Sequence, residues 1–296
     1  MSAFKKVKTP ERLLWKQRGG VVVFLESEDD YEIIAKRWFF DEGADLLFEP
    51  ADRHEPDTGG GGCEAVIALV AGARADGVAA FGLVDRDLLL GRHDWALWWQ
   101  KADEVFLATR PHGGNIRVLL RWELENYLLD PDAMAEVAND HVLTSSHTGD
   151  TMVDACLACA DELKDKSAAT VVAKTAHQRS PKPGFGCTPL KRGSQLKDDL
   201  VGHLTTLGIP DPGPALDQER LKIEGFDQPS ASPRQRWERL TRMLDGKAAL
   251  KYLSHAGPVR FDEHRGFLAR RMRETGKVPS DIRAQIEDFK LAASST

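Results

Sequence analysis

The first ninety residues change hydrophobic period four times, and that alternation limits the fold more than any other feature. Val21 to Leu25 is apolar and mostly β-branched, the pattern of a buried strand. "SEDDYEIIAKRWFFDEG" then reads as a helix, capped by Ser27 or Asp29, striped by Ile33, Ile34, Trp38 and Phe39, and closed by Gly43. "ADLLFEPA" reads as a second strand, "CEAVIALVAGARADG" as a second helix and "VAAFGLVDRD" as a third strand. The intervening "DRHEPDTGGGG" reads as a loop. Strand, helix, strand, helix, strand predicts an α/β fold with a mostly parallel sheet flanked by helices. Such sheets place ligands beyond the carboxyl ends of their strands. "EVFLATR" and "IRVLLRWELENYLLD" read as further strand-like runs.

After about residue 131 the texture becomes helical. "PDAMAEVANDH", "DTMVDACLACADELKDKSAATVVAKTAHQ", "SPRQRWERLTRMLDGKAALKYLSHAG", "DEHRGFLARRMRETG" and "VPSDIRAQIEDFKLAA" all read as helices, and "RSPKPGFGCTPLKRGSQ" as a loop. The expected layout is an α/β domain over residues 1–135, with its core at 20–135, followed by a mainly helical domain over 136–296. The charge is also unevenly spread. Residues 1–163 hold 16 Lys+Arg and 30 Asp+Glu, leaving 24 (40 − 16) and 16 (46 − 30) for residues 164–296. An acidic half suited to cations and a basic half suited to a polyanion is the sharper interpretation; two unevenly solvated surfaces is the plainer one.

No apolar run reaches the roughly 18 residues of a membrane helix, and the basic N-terminus lacks a signal-peptide core, so no membrane association and a cytoplasmic location are expected. Cys156 and Cys159 form a lone CxxC in a helical context. Without a second pair they fit buried small side chains better than a zinc site.

The acids that follow the apolar runs are the candidate chemistry. Glu26, Glu28, Asp29 and Asp30 follow the first run, with Glu26 and Asp30 four apart; Asp85 and Asp87 follow the third, two apart as if on one strand; Glu123 and Glu125 are again two apart. Grouped carboxylates repel one another, and hard divalent cations such as Mg²⁺ relieve that repulsion. Each cluster alone has an ordinary explanation. Glu28, Asp29 and Glu32 suit a helix start, and Glu123 or Glu125 could pair with Arg117 or Arg121. The ordered set, strand–Glu–x3–Asp–helix followed by strand–Asp–x–Asp, is more specific.

That order resembles the Toprim domain, the metal-binding α/β fold of topoisomerases, bacterial primases and overcoming-lysogenization-defect (OLD) nucleases, through "FLESEDD" and "LVDRD". The acid at Asp30 is similar to the OLD-type branch, and the "ENYL" box in "RWELENYLLDPDAM" is similar to the DUF4435 family, compact Toprim proteins common in anti-phage defence loci. The resemblance covers roughly residues 20–135. It departs at Ser27, where the family usually has glycine. It implies a Mg²⁺- or Mn²⁺-dependent nuclease using two ions. Glu26, Asp30, Asp85 and Asp87 would hold one ion, and Glu123 and Glu125 the other. Glu26, Asp85 and Asp87 would be catalytic together with a late lysine, Lys247 rather than its competitor Lys251. It implies a nucleic acid substrate, DNA or RNA including tRNA, and control by a separately encoded ABC-type or OLD-like ATPase, since this chain has no GxxxxGK[ST]. A homo-oligomer is compatible with it. A catalytically inactive Toprim-like sensor that binds a protein or nucleic acid is the alternative. Strand passage is disfavoured because Tyr31, Tyr127 and Tyr252 lack a nucleophile context, and a haloacid-dehalogenase phosphatase because Leu89 stands where threonine is wanted.

Overall fold

The computed structural model describes residues 20–42, 46–54, 62–142 and 146–294. Gly43 and the glycine run up to residue 61, expected to close the first helix and form a loop, lie outside the described residues. The described chain forms two compact units that interleave in sequence. One comprises the described residues within 1–84, 110–118 and 279–296; the other comprises those within 85–109 and 119–278. Residue 135, the expected boundary, therefore falls inside the second unit.

The first unit is an α/β sandwich around a four-stranded sheet: β1 (Val21–Leu25), β2 (Leu46–Pro50), β3 (Ala79–Val84) and β4 (Ile116–Val118). The strands are all parallel, in the order β2-β1-β3-β4. β1 is buried along its whole length, as expected of a central strand covered on both faces. The covering layers can be read from two neighbours in β3. Gly82 faces Val66 and Val70 of the Cys63–Ala75 helix so closely that a Cβ there would lie 2.5 Å from Val66 Cγ1. Phe81, one residue earlier and so on the opposite face, stacks on Phe289 of the Ser280–Ser294 helix at 4.5 Å between ring centroids. The last helix of the chain thus completes the first unit, and Lys290 and Arg283 tie it to Glu42. Strand order reverses between β1 and β3, the position at which parallel sheets open a crevice.

The second unit is helical. The helix expected over 150–178 divides at Ala158–Cys159 into Gly149–Leu157 and Ala160–Thr175. The latter is buried from Ala160 to Ala173 except at Asp161, so it forms the centre of the unit although it carries Glu162, Lys164, Asp165 and Lys166. These charges are placed rather than solvated: Lys164 meets Asp161 and Glu224, and Arg220 meets Asp165. The run expected over 232–257 also divides, into Pro233–Leu240 and Gly246–Ala256. The sequence reading has no counterpart for the Gly193–Thr206 and Pro212–Glu224 helices. "EVFLATR", expected as a strand, is a helix over Asp103–Ala108, and only Ile116–Val118 of the next run is a strand. Cys156 is buried in the Gly149–Leu157 helix and Cys159 in the turn that follows it; neither forms a disulfide, and burial pushes both thiols up.

Candidate functional site

Glu26 directly follows β1. Its Oε1 accepts a hydrogen bond from Cys63 Sγ at 2.8 Å, and its carbonyl accepts from Gly62 N–H at 3.2 Å. Asp30 closes a capping box. Ser27 N–H and Oγ donate to Asp30 Oδ2 at 3.0 and 2.9 Å, while Asp30 N–H donates to Ser27 Oγ. The serine that departs from the Toprim pattern is therefore a helix cap, and Asp30 is its reciprocal partner. The neighbouring acids of this helix start are engaged in the same unit: Arg53 forks onto Glu28, whose N–H donates to Asp52 Oδ2 at 3.0 Å.

The other candidate acids belong to the second unit, and their local geometry differs from the expectation. Asp85 and Asp87 do not share a strand. β3 ends at Val84, the chain turns, and Asp87 has helical dihedrals at the start of the Leu88–Gly91 turn of helix. The rule that residues two apart face one side does not apply outside an extended strand. Glu123 and Glu125 are not on a strand either: Glu123 is extended, but Leu124–Asn126 is a 3₁₀ turn. The turn is held from a distance, because Asn126 Nδ2 donates to Leu244 O at 2.8 Å and its Oδ1 accepts from Glu123 N–H at 2.9 Å.

These turns still bring several acids to one lysine. Lys247 N–H and Nζ donate to the two oxygens of Glu123 at 2.6 and 2.8 Å, and Nζ lies 3.8 Å from Glu125. Arg265 holds the far side of Glu125 at 3.0 Å. Lys251 pairs with Asp262, so of the two candidate lysines it is Lys247 that meets the acids. The proposed alternative partner Arg121 instead donates to Asn126 O and Thr241 Oγ1. Gly246 fits this approach because a Cβ would lie 2.6 Å from Asn126 Oδ1.

Two participants escaped the sequence reading. Lys174, near the end of the Ala160–Thr175 helix, bonds Asp87 across 87 positions of sequence. Asp245 caps the Gly246–Ala256 helix through Ala248 N–H at 2.8 Å. It is fixed by Thr170 and Ser167, all within the second unit. The Asp-Gly-Lys run at 245–247 carries a detectable cap signal; Lys174 carries none.

The electrostatics record an excess of negative charge. Glu123 is 5% exposed, and burial, followed by Asp245 and Glu125, raises its pKa well above the carboxylate range against the pull of Lys247. Desolvation works against the charge of Lys247, yet Glu123, Glu125 and Asp85 together raise its pKa. Lys174 behaves alike: burial lowers it, but Asp87, Asp245 and Glu123 leave it raised. The donors are hard oxygens, the chemistry that suits Mg²⁺ or Mn²⁺. The positive charge among them is supplied by lysine, and among the described residues no three His, Cys, Asp or Glu side chains are arranged to hold a metal ion.

Comparison of the chain with protein-family models, with curated proteins and with solved structures finds no significant match.

Proposed function

We propose that this protein is a Mg²⁺- or Mn²⁺-dependent nuclease whose second unit supplies the reacting groups, with Asp85, Asp87, Glu123 and Glu125 holding the ion and Lys247 meeting the phosphate. The observation that carries this reading is the convergence of Asp85, Glu125 and Asp245 on the contact between buried Glu123 and Lys247. An acid cluster that raises two lysines and one of its own members attracts a cation of higher charge. When bound, such an ion polarises a phosphoryl oxygen and lowers the pKa of a water molecule. To hold the ion, Glu123 would give up the proton that its raised pKa retains, so ion uptake there would release a proton. Lys247 is half-exposed and can offset charge that develops on phosphate oxygens. The substrate is nucleic acid, DNA or RNA including tRNA. Because the chain has no P-loop sequence, control by a separately encoded ATPase in an anti-phage system is part of the proposal. No described helix is long and apolar enough to cross a membrane.

The lysines on Asp87 and Glu123 favour a second reading, a sensor whose acids are neutralised internally. Incubating the full chain with Mg²⁺ or Mn²⁺ and either plasmid DNA or total RNA separates the two. Metal-dependent cutting that falls about a hundredfold or more in Asp85→Asn and Glu123→Gln supports the nuclease, and Glu26→Ala reads whether the first unit takes part. Cutting that survives both substitutions, or a wild-type chain that takes up no Mn²⁺ in calorimetry, overturns it.

A further inference from the structure

The second unit also contains a polar cleft of about 500 Å³ that the acidic site does not use. It is lined by Lys101, Leu120, Arg121, Gln235, Arg239 and Arg242, with Asp103, Glu104 and Glu238 among them. Its size is that of a small-ligand pocket, but its lining offers little apolar surface to an apolar ligand.

Three guanidiniums crowd this cleft. Arg242 is only 5% exposed and donates to Lys101 O at 2.8 Å and Gln100 O at 3.2 Å, with Asp103 as its ion-pair partner. Its buried Nε–H has no acceptor among the described residues. Burial lowers its pKa most; Asp103 pulls it back up, Arg239 and Arg121 push it down again, and the net shift is downward. Like charges gathered at one cleft are unfavourable by themselves and are relieved by a bound anion. Arginine forks match phosphate oxygens in particular. Asp103 is taken by Arg242, but Glu104 and Glu238 are exposed at the rim and can accept from hydroxyl or amino groups. Inorganic phosphate offers only its own P–OH groups, on the same phosphorus whose oxygens the arginines would hold, whereas a ribose or base carries donors beyond the phosphate.

We propose that this cleft binds a phosphorylated nucleoside, its phosphate on Arg239, Arg242 and Lys101 and its sugar or base at the acidic rim. The same chemistry can arrive as a free nucleotide or as the 5′-phosphorylated end of a strand. The proposal does not rest on the nuclease reading, because binding is measured without a divalent metal.

The test titrates the full chain with AMP, inorganic phosphate, and a short oligonucleotide bearing either a 5′-phosphate or a 5′-hydroxyl. Arg239→Ala and Lys101→Ala remove exposed lining residues, so both variants should fold; Arg270→Ala, an exposed arginine paired with Glu274, is the charge-matched control. Saturable AMP binding that weakens about tenfold or more in both lining variants, but not in the control, supports the site and a free nucleotide as its ligand. The same dependence seen only with the 5′-phosphorylated oligonucleotide supports the site and a strand end. Inorganic phosphate binding as tightly as either overturns the nucleoside assignment. Binding that is absent, or that ignores both lining substitutions, overturns the site.

Discussion

The two acidic regions of this protein are held over different separations in sequence. After β1 the partners are nearer in sequence: Ser27 holds Asp30 from three positions away, Arg53 forks Glu28 across 25 and Cys63 bonds Glu26 across 37. In the second unit the acids are held by partners far off in sequence. Glu123 meets Lys247 across 124 positions, Glu125 meets Arg265 across 140 and Asp87 meets Lys174 across 87. Local caps satisfy exposed backbone at small cost. Burial among long-range partners raises the pKa of Glu123, and groups perturbed in that way are where acid–base chemistry is found. The contrast shows that an acidic cluster in sequence says little until the origin of its counter-charges is known.

The contrast can be broken most forcefully at Arg86, which lies between Asp85 and Asp87. Its side chain is fully buried and donates to the carbonyls of Leu120, Trp98, Leu97 and Gln100 while lying over the Phe106 ring. Arg86→Met strands these carbonyls and is expected to destabilise the protein by about 3–5 kcal/mol in urea unfolding. A loss below about 1 kcal/mol would mean that the turn bearing Asp85 and Asp87 does not depend on long-range anchoring.

Gly246→Ala drives a methyl against Asn126 and is expected to cost about 1–3 kcal/mol. It should also weaken the Lys247–Glu123 bond, so the nuclease activity proposed here should fall with it. Unchanged stability and activity would show that this approach is loose.

Glu123 sharpens the comparison through pH. Its folded-state pKa is raised above the unfolded value, so the folded state binds the extra proton. Its stabilising contribution is complete below the unfolded carboxylate pKa and is lost as pH rises through the raised one. Wild-type stability should therefore decline with pH across that window, by at most about 1.4 kcal/mol per pH unit for one proton. Glu123→Gln should flatten that slope in denaturation series at several pH values. A slope unchanged by the substitution would remove Glu123 as its source.

The smallest effect is expected in the first region. Ser27→Ala removes a capping box and should cost about 1 kcal/mol. Hydrogen exchange should report it within Glu28–Ile33, with Asp87, Glu123 and Lys247 undisturbed. Spread of the effect to those residues would dissolve the distinction between the two regions.

The parts of the fold set by local pattern were legible in the sequence. β1, β3 and the Cys63–Ala75 helix follow from apolar runs whose period differs, and of the two candidate caps, Ser27 and Asp29, it is Ser27 that caps the helix. The acids were legible as residues but not as geometry. "LVDRD" looks extended, yet the chain turns after Val84, because Arg86 is drawn into the interior and cannot continue the alternation of a strand. "EVFLATR" carries strand formers, yet Asp103 and Glu104 favour a first helical turn, and the helix prevails. Lys174 could not be found by pattern, since its significance rests entirely on which residue the fold sets opposite it.

The closing of the first unit by the Ser280–Ser294 helix has a consequence during synthesis. A ribosome delivers β4 and then about 160 further residues before the helix that bears Phe289 emerges. At roughly 5–20 residues per second, the face of β3 that carries Phe81 waits on the order of ten to thirty seconds for its cover. The nascent sheet is thus a client for whatever shields apolar surface at the exit tunnel. A chain cut short before residue 279 would present that face to the cell as a permanent defect.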